Sequence, residues 1–145
     1  TLKENLLFIG NLFRVENLEK RITSLSEKFQ MNSYLHKPIQ TLSKGLVKRA
    51  TLIRTFLHDP EILLLDEPLS DLDMESQIVL IEFLKQQSSR NKTILISTHQ
   101  IELSIDLKTQ IAIINNGKLV NLLPKTPSSI SMLKNIYSES LNQEL

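Results

Sequence analysis

Two adjacent carboxylates, Asp66 and Glu67, stand directly after the short apolar run Ile62–Leu65 and directly before Pro68. The run has the composition of a strand buried on both faces. Carboxylates at the end of such a strand lie at the edge where open parallel sheets bind ligands. Strand residues alternate faces, so the two acids point in different directions. Asp66 is then suited to a magnesium shell and Glu67 to orienting a water as a general base. Pro68 lacks the N–H that a ladder needs and stops the strand. The plainer reading is a pair of surface acids at a strand end, and the neighbouring stretches weigh against it.

Upstream, Leu42–Ser43–Lys44–Gly45 opens a helix that Thr41 or Ser43 can cap. Free N–H groups at such an N-terminus attract anions, and Gly45 lets a phosphate approach closely. Downstream, Ser70–Asp71–Leu72–Asp73 forms a second acidic turn. Thr93–Ile96 then reads as another buried strand, and it is followed by Ser97–Thr98–His99–Gln100. His99 falls at the same sheet edge as the two acids.

The elements that must position these groups follow from periodicity. Thr1–Glu4 has the form of a capping box. Leu2, Leu6, Ile9, Leu12 and Phe13 follow it at helical spacing. Leu18–Phe29 is a second helix, with Ile22, Leu25 and Phe29 on one face. Met31–Gln40 is a connector in which Pro38 excludes regular helix, and His36 is a solvated loop residue. Ser43–Leu57 is a helix with a stripe of Leu46, Ala50, Ile53 and Leu57. Lys48, Arg49 and Arg54 fall on a solvated face, the first two near enough to help an anion. His58, protonated, would favour the C-terminal end of that helix by about 0.3–1 kcal/mol. Met74–Gln87 is an amphipathic helix presenting Ile78, Ile81 and Leu84. A short helix lies near Ile101–Ile105. Gln110–Ile114 and Lys118–Leu122 are strands joined through Asn115–Asn116–Gly117, in which Asn-Gly is a strong hairpin signal. Ser128–Tyr137 is a C-terminal helix, and the last residues fray.

Composition bounds the function. The chain has 145 residues, 17 basic and 16 acidic groups and a net charge of +1. That is no electrostatic footprint for nucleic acid or an anionic membrane. Cysteine is absent, which removes thiol chemistry and disulfides. No apolar run approaches the length of a membrane span. There are only three glycines, Gly10, Gly45 and Gly117, and none belongs to a G-x-x-x-x-G-K-[ST] phosphate loop.

The ordered motifs LSKGL, ILLLDEP, SDLD and STHQ resemble the ATP-binding subunit of ABC transporters. Leu42–Leu46 is similar to its signature motif, Ile62–Asp66 with Glu67 to the Walker B strand and its base, Ser70–Asp73 to the D-loop, and His99 to the switch histidine. Thr1–Leu18 looks like the segment that follows the Q-loop. The resemblance implies an α/β fold: part of a P-loop NTPase domain, with a helical signature subdomain over 1–60 and the C-terminal part of the ATP-binding core over 61–145, a mostly parallel sheet flanked by helices. It implies ATP and Mg2+ as ligands, and head-to-tail pairing with a second nucleotide-binding domain, the same or different. Ser43, Lys44 and Gly45 would meet the partner's nucleotide. Asp66 would hold magnesium, Glu67 would be the base, and His99 would contact the γ-phosphate. Asp73 would cross the dimer interface. The helical region would dock on transmembrane permease subunits at the cytoplasmic face of the cell membrane, and nucleic acid is not expected as a partner. The chain is expected to be the part of a longer protein that follows the phosphate loop and the Q-loop, inactive by itself.

The sequence departs from the family pattern twice. Lys44–Gly45–Leu46 stands where Gly-Gly-Gln is usual, a variant similar to that of bacterial exporters with separate membrane subunits, and Asp71 stands where a small residue is common. Two other readings fit the motifs less well: a soluble ABC-type ATPase of DNA repair or translation, and a non-catalytic half-domain. A second motif set upstream would mark the former; the missing phosphate loop, taken literally, favours the latter.

Overall fold

The computed structural model describes residues 1–107 and 109–142, and these divide into two compact units, Thr1–Ile96 and Ser97–Leu145. In the first unit, α1 (Leu2–Leu12) begins with the expected capping box, in which the Thr1 hydroxyl accepts from the Glu4 N–H and the Glu4 carboxylate reaches back to the chain's amino group. Its next free N–H groups are also satisfied, because Leu2 and Lys3 donate to the carbonyls of Lys37 and Leu35. The connector is thereby fixed against α1, and it contains two short 3-10 turns, Asn32–Tyr34 and Ile39–Thr41. Then follow α2 (Leu18–Lys28), α3 (Lys44–Leu57), β1 (Ile62–Asp66), α4 (Met74–Ser88) and β2 (Thr93–Ser97).

The core of this unit is an aromatic cluster. Phe29, at the end of α2, meets Phe56 of α3 at 5.9 Å and Phe83 of α4 at 5.6 Å, and Phe56 and Phe83 are 4.5 Å apart. Aromatic pairs at these separations contribute about 0.5–1.5 kcal/mol beyond their burial. The cluster decides which way α4 faces. Its buried positions are Ser76, Leu80, Phe83, Leu84 and Gln87, whereas the expected Ile78 is 58% exposed. The helix is apolar on several sides, and the aromatic side chain takes the core. On α1 the expected stripe is cut short in the same way, with Leu2 and Leu6 buried and Leu12 and Phe13 exposed.

β1 pairs with β2, and the Thr93 N–H donates to the Glu61 carbonyl at 2.9 Å where the pair begins. Neither strand is buried on both faces as expected. In β1, Leu63 and Leu65 are buried while Ile62 is 63% and Leu64 70% exposed, and in β2 Leu95 is 65% exposed. Among the described residues nothing covers that apolar face.

The second unit contains α5 (Ile101–Leu107), β3 (Ile111–Asn115), β4 (Lys118–Leu123) and α6 (Ile130–Asn142). β3 and β4 form the antiparallel hairpin expected from Asn116–Gly117, with Asn115 opposite Lys118. Asn116 at φ 48° and Gly117 at φ 75° supply the two left-handed positions of such a turn. Leu103, Ile113 and Leu133 form the buried centre, and Asn121 Nδ2 donates to the buried Ser140 Oγ at 3.1 Å. The α/β class is therefore as expected, with the strands in two two-stranded sheets among the described residues. The expected fraying of the last residues concerns 143–145, outside the described residues.

Candidate functional site

Ser43, rather than Thr41, caps α3: its Oγ accepts from the Leu46 N–H at 3.4 Å, while the Thr41 hydroxyl donates to the Pro38 carbonyl. Ser43 and Lys44 are exposed at the helix start. The remaining N–H groups of this first turn form a positive end suited to an anion. Gly45 has a second reason to be glycine. A Cβ there would lie 2.9 Å from the backbone oxygen of Asp71. The start of α3 is thus packed directly against the acidic turn.

Asp66 is the exposed last residue of β1, and Glu67 is half-buried. What separates them is a turn in the backbone, not strand alternation. Glu67 has φ 41°, in the left-handed region, as has Asp71 at 61°. For a residue with a Cβ this costs about 1–2 kcal/mol, and such strain persists only where surrounding contacts over-determine it. The contacts are present. The Glu67 carbonyl accepts from Lys48 Nζ at 2.8 Å, from Ser70 Oγ at 2.8 Å and from the Ser70 N–H at 3.2 Å.

The turn ends on Asp73, the N-cap of α4. Its Oδ1 accepts from the Ser76 N–H at 2.9 Å and from the Ser76 hydroxyl at 2.5 Å, and its Oδ2 pairs with Arg49 at 2.5 Å. The Ser76 hydroxyl and N–H, with Arg49 beside them, hold the Asp73 carboxyl below the usual carboxylate range. Lys48 and Arg49 therefore do not form the solvated face expected of them: Lys48 is half-buried on the Glu67 turn, and the Arg49 side chain is only 14% exposed. Gly45, Lys48 and Arg49 stand at i, i+3 and i+4, one face of α3. That spacing, read from Gly45, is the signal that could have placed both cations on the acidic turn.

The other end of α3 departs from expectation as well. Its last carbonyls, of Phe56 and Leu57, accept from the guanidinium of Arg21. Asp59 ties the end of the helix to Arg21 at 3.0 Å and to Lys92 at 2.5 Å. His58 stacks on Phe13 at 4.2 Å. Burial, and the nearby Arg21, lower its pKa. The site therefore favours neutral imidazole, against the helix-end role expected for a charged one, because Arg21 already occupies those carbonyls.

His99 belongs to the second unit. It is exposed in a small turn after β2, where the Thr98 Oγ1 accepts from the Gln100 N–H at 3.1 Å. Ser43, Lys44, Gly45, Asp66, Glu67 and Asp73 all lie in the first unit, which joins the N-terminus of α3 to the carboxylate turn.

The chain is similar to known proteins in sequence and in fold. A family described as ABC transporter matches residues 1–70. The ABC transporter ATP-binding protein NatA of Bacillus subtilis is 34% identical over 122 residues, 83% of this chain and 50% of that protein. The Nod factor export ATP-binding protein I of Rhizobium johnstonii is also 34% identical over 122 residues, 83% of this chain and 39% of that protein. A solved structure of the ATP-binding subunit of an ABC transporter shares the fold, with a TM-score of 0.79 at 23% identity over 95% of this chain and 56% of that one. The chain spans half or less of the length of these two curated relatives. In sequence the chain is similar to ABC transporter ATP-binding proteins, and in fold it is similar to the ATP-binding subunit of such a transporter.

Proposed function

We propose that this chain is the signature- and Walker B-bearing part of an ATP-hydrolysing subunit of an ABC transporter, with 1–60 as the signature subdomain and 61–145 as part of the nucleotide core. The observation that carries the reading is the packing of the α3 N-terminus on the carboxylate turn, through Gly45 against Asp71 and Lys48 on Glu67. It gives one rigid piece that offers hydrogen-bond donors at one end and carboxylates at the other. Relatives named for export support the direction of transport.

In this reading Ser43, Lys44 and Gly45 face the γ-phosphate of an ATP held by a second nucleotide-binding domain. Glu67 orients and deprotonates the attacking water at this subunit's own ATP, and His99 contacts its γ-phosphate. The carboxylate of Asp73 is committed to Ser76 and Arg49, so the rest of the D-loop would meet the partner. Asp66, a single exposed carboxylate at the end of β1, fits a magnesium ion held chiefly by phosphate oxygens and water; such an ion needs no protein cage, and the described residues form none. When bound, the ion would offset charge on the phosphates. Catalysis is then largely positioning and charge stabilisation.

Among the described residues no helix is long and apolar enough to cross a membrane. In the proposed reading, which rests on the similarity to transporter ATP-binding proteins, the subunit works at the cytoplasmic face through transmembrane permease subunits. The test is hydrolysis by the full-length gene product carrying Glu67→Gln. Retained ATP binding with hydrolysis slower by about 10²–10⁴ is expected of a lost general base, and wild-type turnover would overturn the reading.

A further inference from the structure

Glu67 is the residue to which the proposed chemistry assigns the base, and its backbone is left-handed at φ 41°. The direction of its Cα–Cβ bond is set by where N, Cα and C are held, and the peptide plane that follows holds C. The plane is fixed at its carbonyl oxygen, which accepts from three donors. Two of them, the Ser70 N–H and Oγ, belong to the same turn and move with it. The third, Lys48 Nζ at 2.8 Å, comes from α3 and also reaches Ser70 Oγ at 3.3 Å. A cationic donor makes the stronger kind of hydrogen bond. Lys48 is half-buried there, between Gly45, which abuts the Asp71 carbonyl, and Arg49, which holds Asp73. Along α3 it stands five residues from Ser43, about 7.5 Å by helical rise.

We propose that Lys48 is a positioning residue: it ties the backbone of Glu67 to the helix whose N-terminus reads the partner's nucleotide, so that the position of α3 sets the aim of the carboxylate at this subunit's own ATP. The inference rests on the proposed function and deepens it. Lys48 touches neither nucleotide; it acts through Glu67.

The test uses the full-length gene product with Lys48→Met, Lys48→Arg and Lys48→Met combined with Glu67→Gln. Lys48→Met is expected to lower kcat by about 10–100-fold, the scale of a small misplacement of a reacting group, with the KM for ATP changed less than about twofold. Lys48→Arg, which keeps a cationic donor, recovers most of the loss. In the Glu67→Gln background Lys48→Met adds less than about a twofold effect, because the group it positions is already gone. Amide hydrogen exchange supplies a readout apart from activity: exchange at Ser70, whose N–H bonds to the Glu67 carbonyl, speeds up by about tenfold in Lys48→Met, while α2 is unchanged. Undiminished kcat would overturn the proposal. So would a fall of equal size in the Glu67→Gln background, or unchanged exchange at Ser70. Failure of the underlying reading looks different: no ATP hydrolysis by the wild-type product, or Glu67→Gln at the wild-type rate, with the exchange result still deciding whether Lys48 holds the turn. Should Lys48→Met fail to fold, Lys48→Gln carries the same comparisons.

Discussion

Alanine at position 45 sets two effects of opposite sign against each other. Glycine inside a helix costs about 0.8–1 kcal/mol relative to alanine, so propensity alone makes Gly45→Ala stabilising. The structure says otherwise. The added Cβ would lie 2.9 Å from the Asp71 carbonyl oxygen, a backbone atom. A flexible side chain could swing away at little cost, but this turn is held at both ends. Lys48 and Ser70 hold the Glu67 carbonyl, and Asp73 caps α4 and pairs with Arg49. Overpacking against a held neighbour costs about 1–3 kcal/mol. The difference is a net loss of about 1 kcal/mol, or about 0.5 M in the urea midpoint at a slope near 2 kcal/mol/M. Thr51→Ala is the control. It is exposed on the same helix and meets no such wall, so it is expected to be neutral or to gain a few tenths of a kcal/mol. A Gly45→Ala protein as stable as the wild type would refute the reasoning, because the turn would then be free to retreat.

Two further predictions concern other parts of the first unit. The folded pKa of His58 lies below the ordinary imidazole value of about 6.5, so the fold favours the neutral ring. Its contribution to stability is therefore full above about pH 6.5 and lost as pH falls through that value toward the folded pKa. The urea midpoint should drop between pH 7.5 and 5.5, and His58→Phe, which keeps a ring against Phe13, should reduce that drop; an identical pH dependence in the variant would exclude the role. The open apolar face of β1 and β2 should make the 145-residue chain self-associate. Replacing the exposed Leu64 and Leu95 together by Lys should reduce light scattering at little cost in stability, and a wild-type chain that stays monodisperse at high concentration would contradict this.

Local rules were legible where one residue type satisfies one backbone need. Thr1 with Glu4 and Asn116–Gly117 in the hairpin fell where they were read, and of Thr41 and Ser43, both able to cap α3, the structure uses Ser43. The candidate site was legible as motifs but not as a mechanism. The motif does not reveal that the Glu67 backbone is left-handed, and one of the three donors that hold its carbonyl is a lysine 19 residues away. Periodicity placed Leu84 of α4 rightly and Ile78 wrongly, because Val79, Leu80, Ile81, Phe83 and Leu84 leave several apolar sides. The choice among them is made by Phe29 and Phe56, which belong to other elements. The apolar runs of β1 and β2 promised burial on two sides, but the pattern cannot say which part of a protein supplies the second cover. His58 was misread for a related reason: the carbonyls it would have served are taken by Arg21, 36 residues from Leu57 in the chain.

The proposed role of Glu67 as the base is decided by measuring bound ATP and released phosphate in one reaction of the full-length gene product, wild type beside Glu67→Gln. The variant should hold ATP at least as well as the wild type and release phosphate slower by about 10²–10⁴. Phosphate release at the wild-type rate, with ATP bound equally in both, would contradict it.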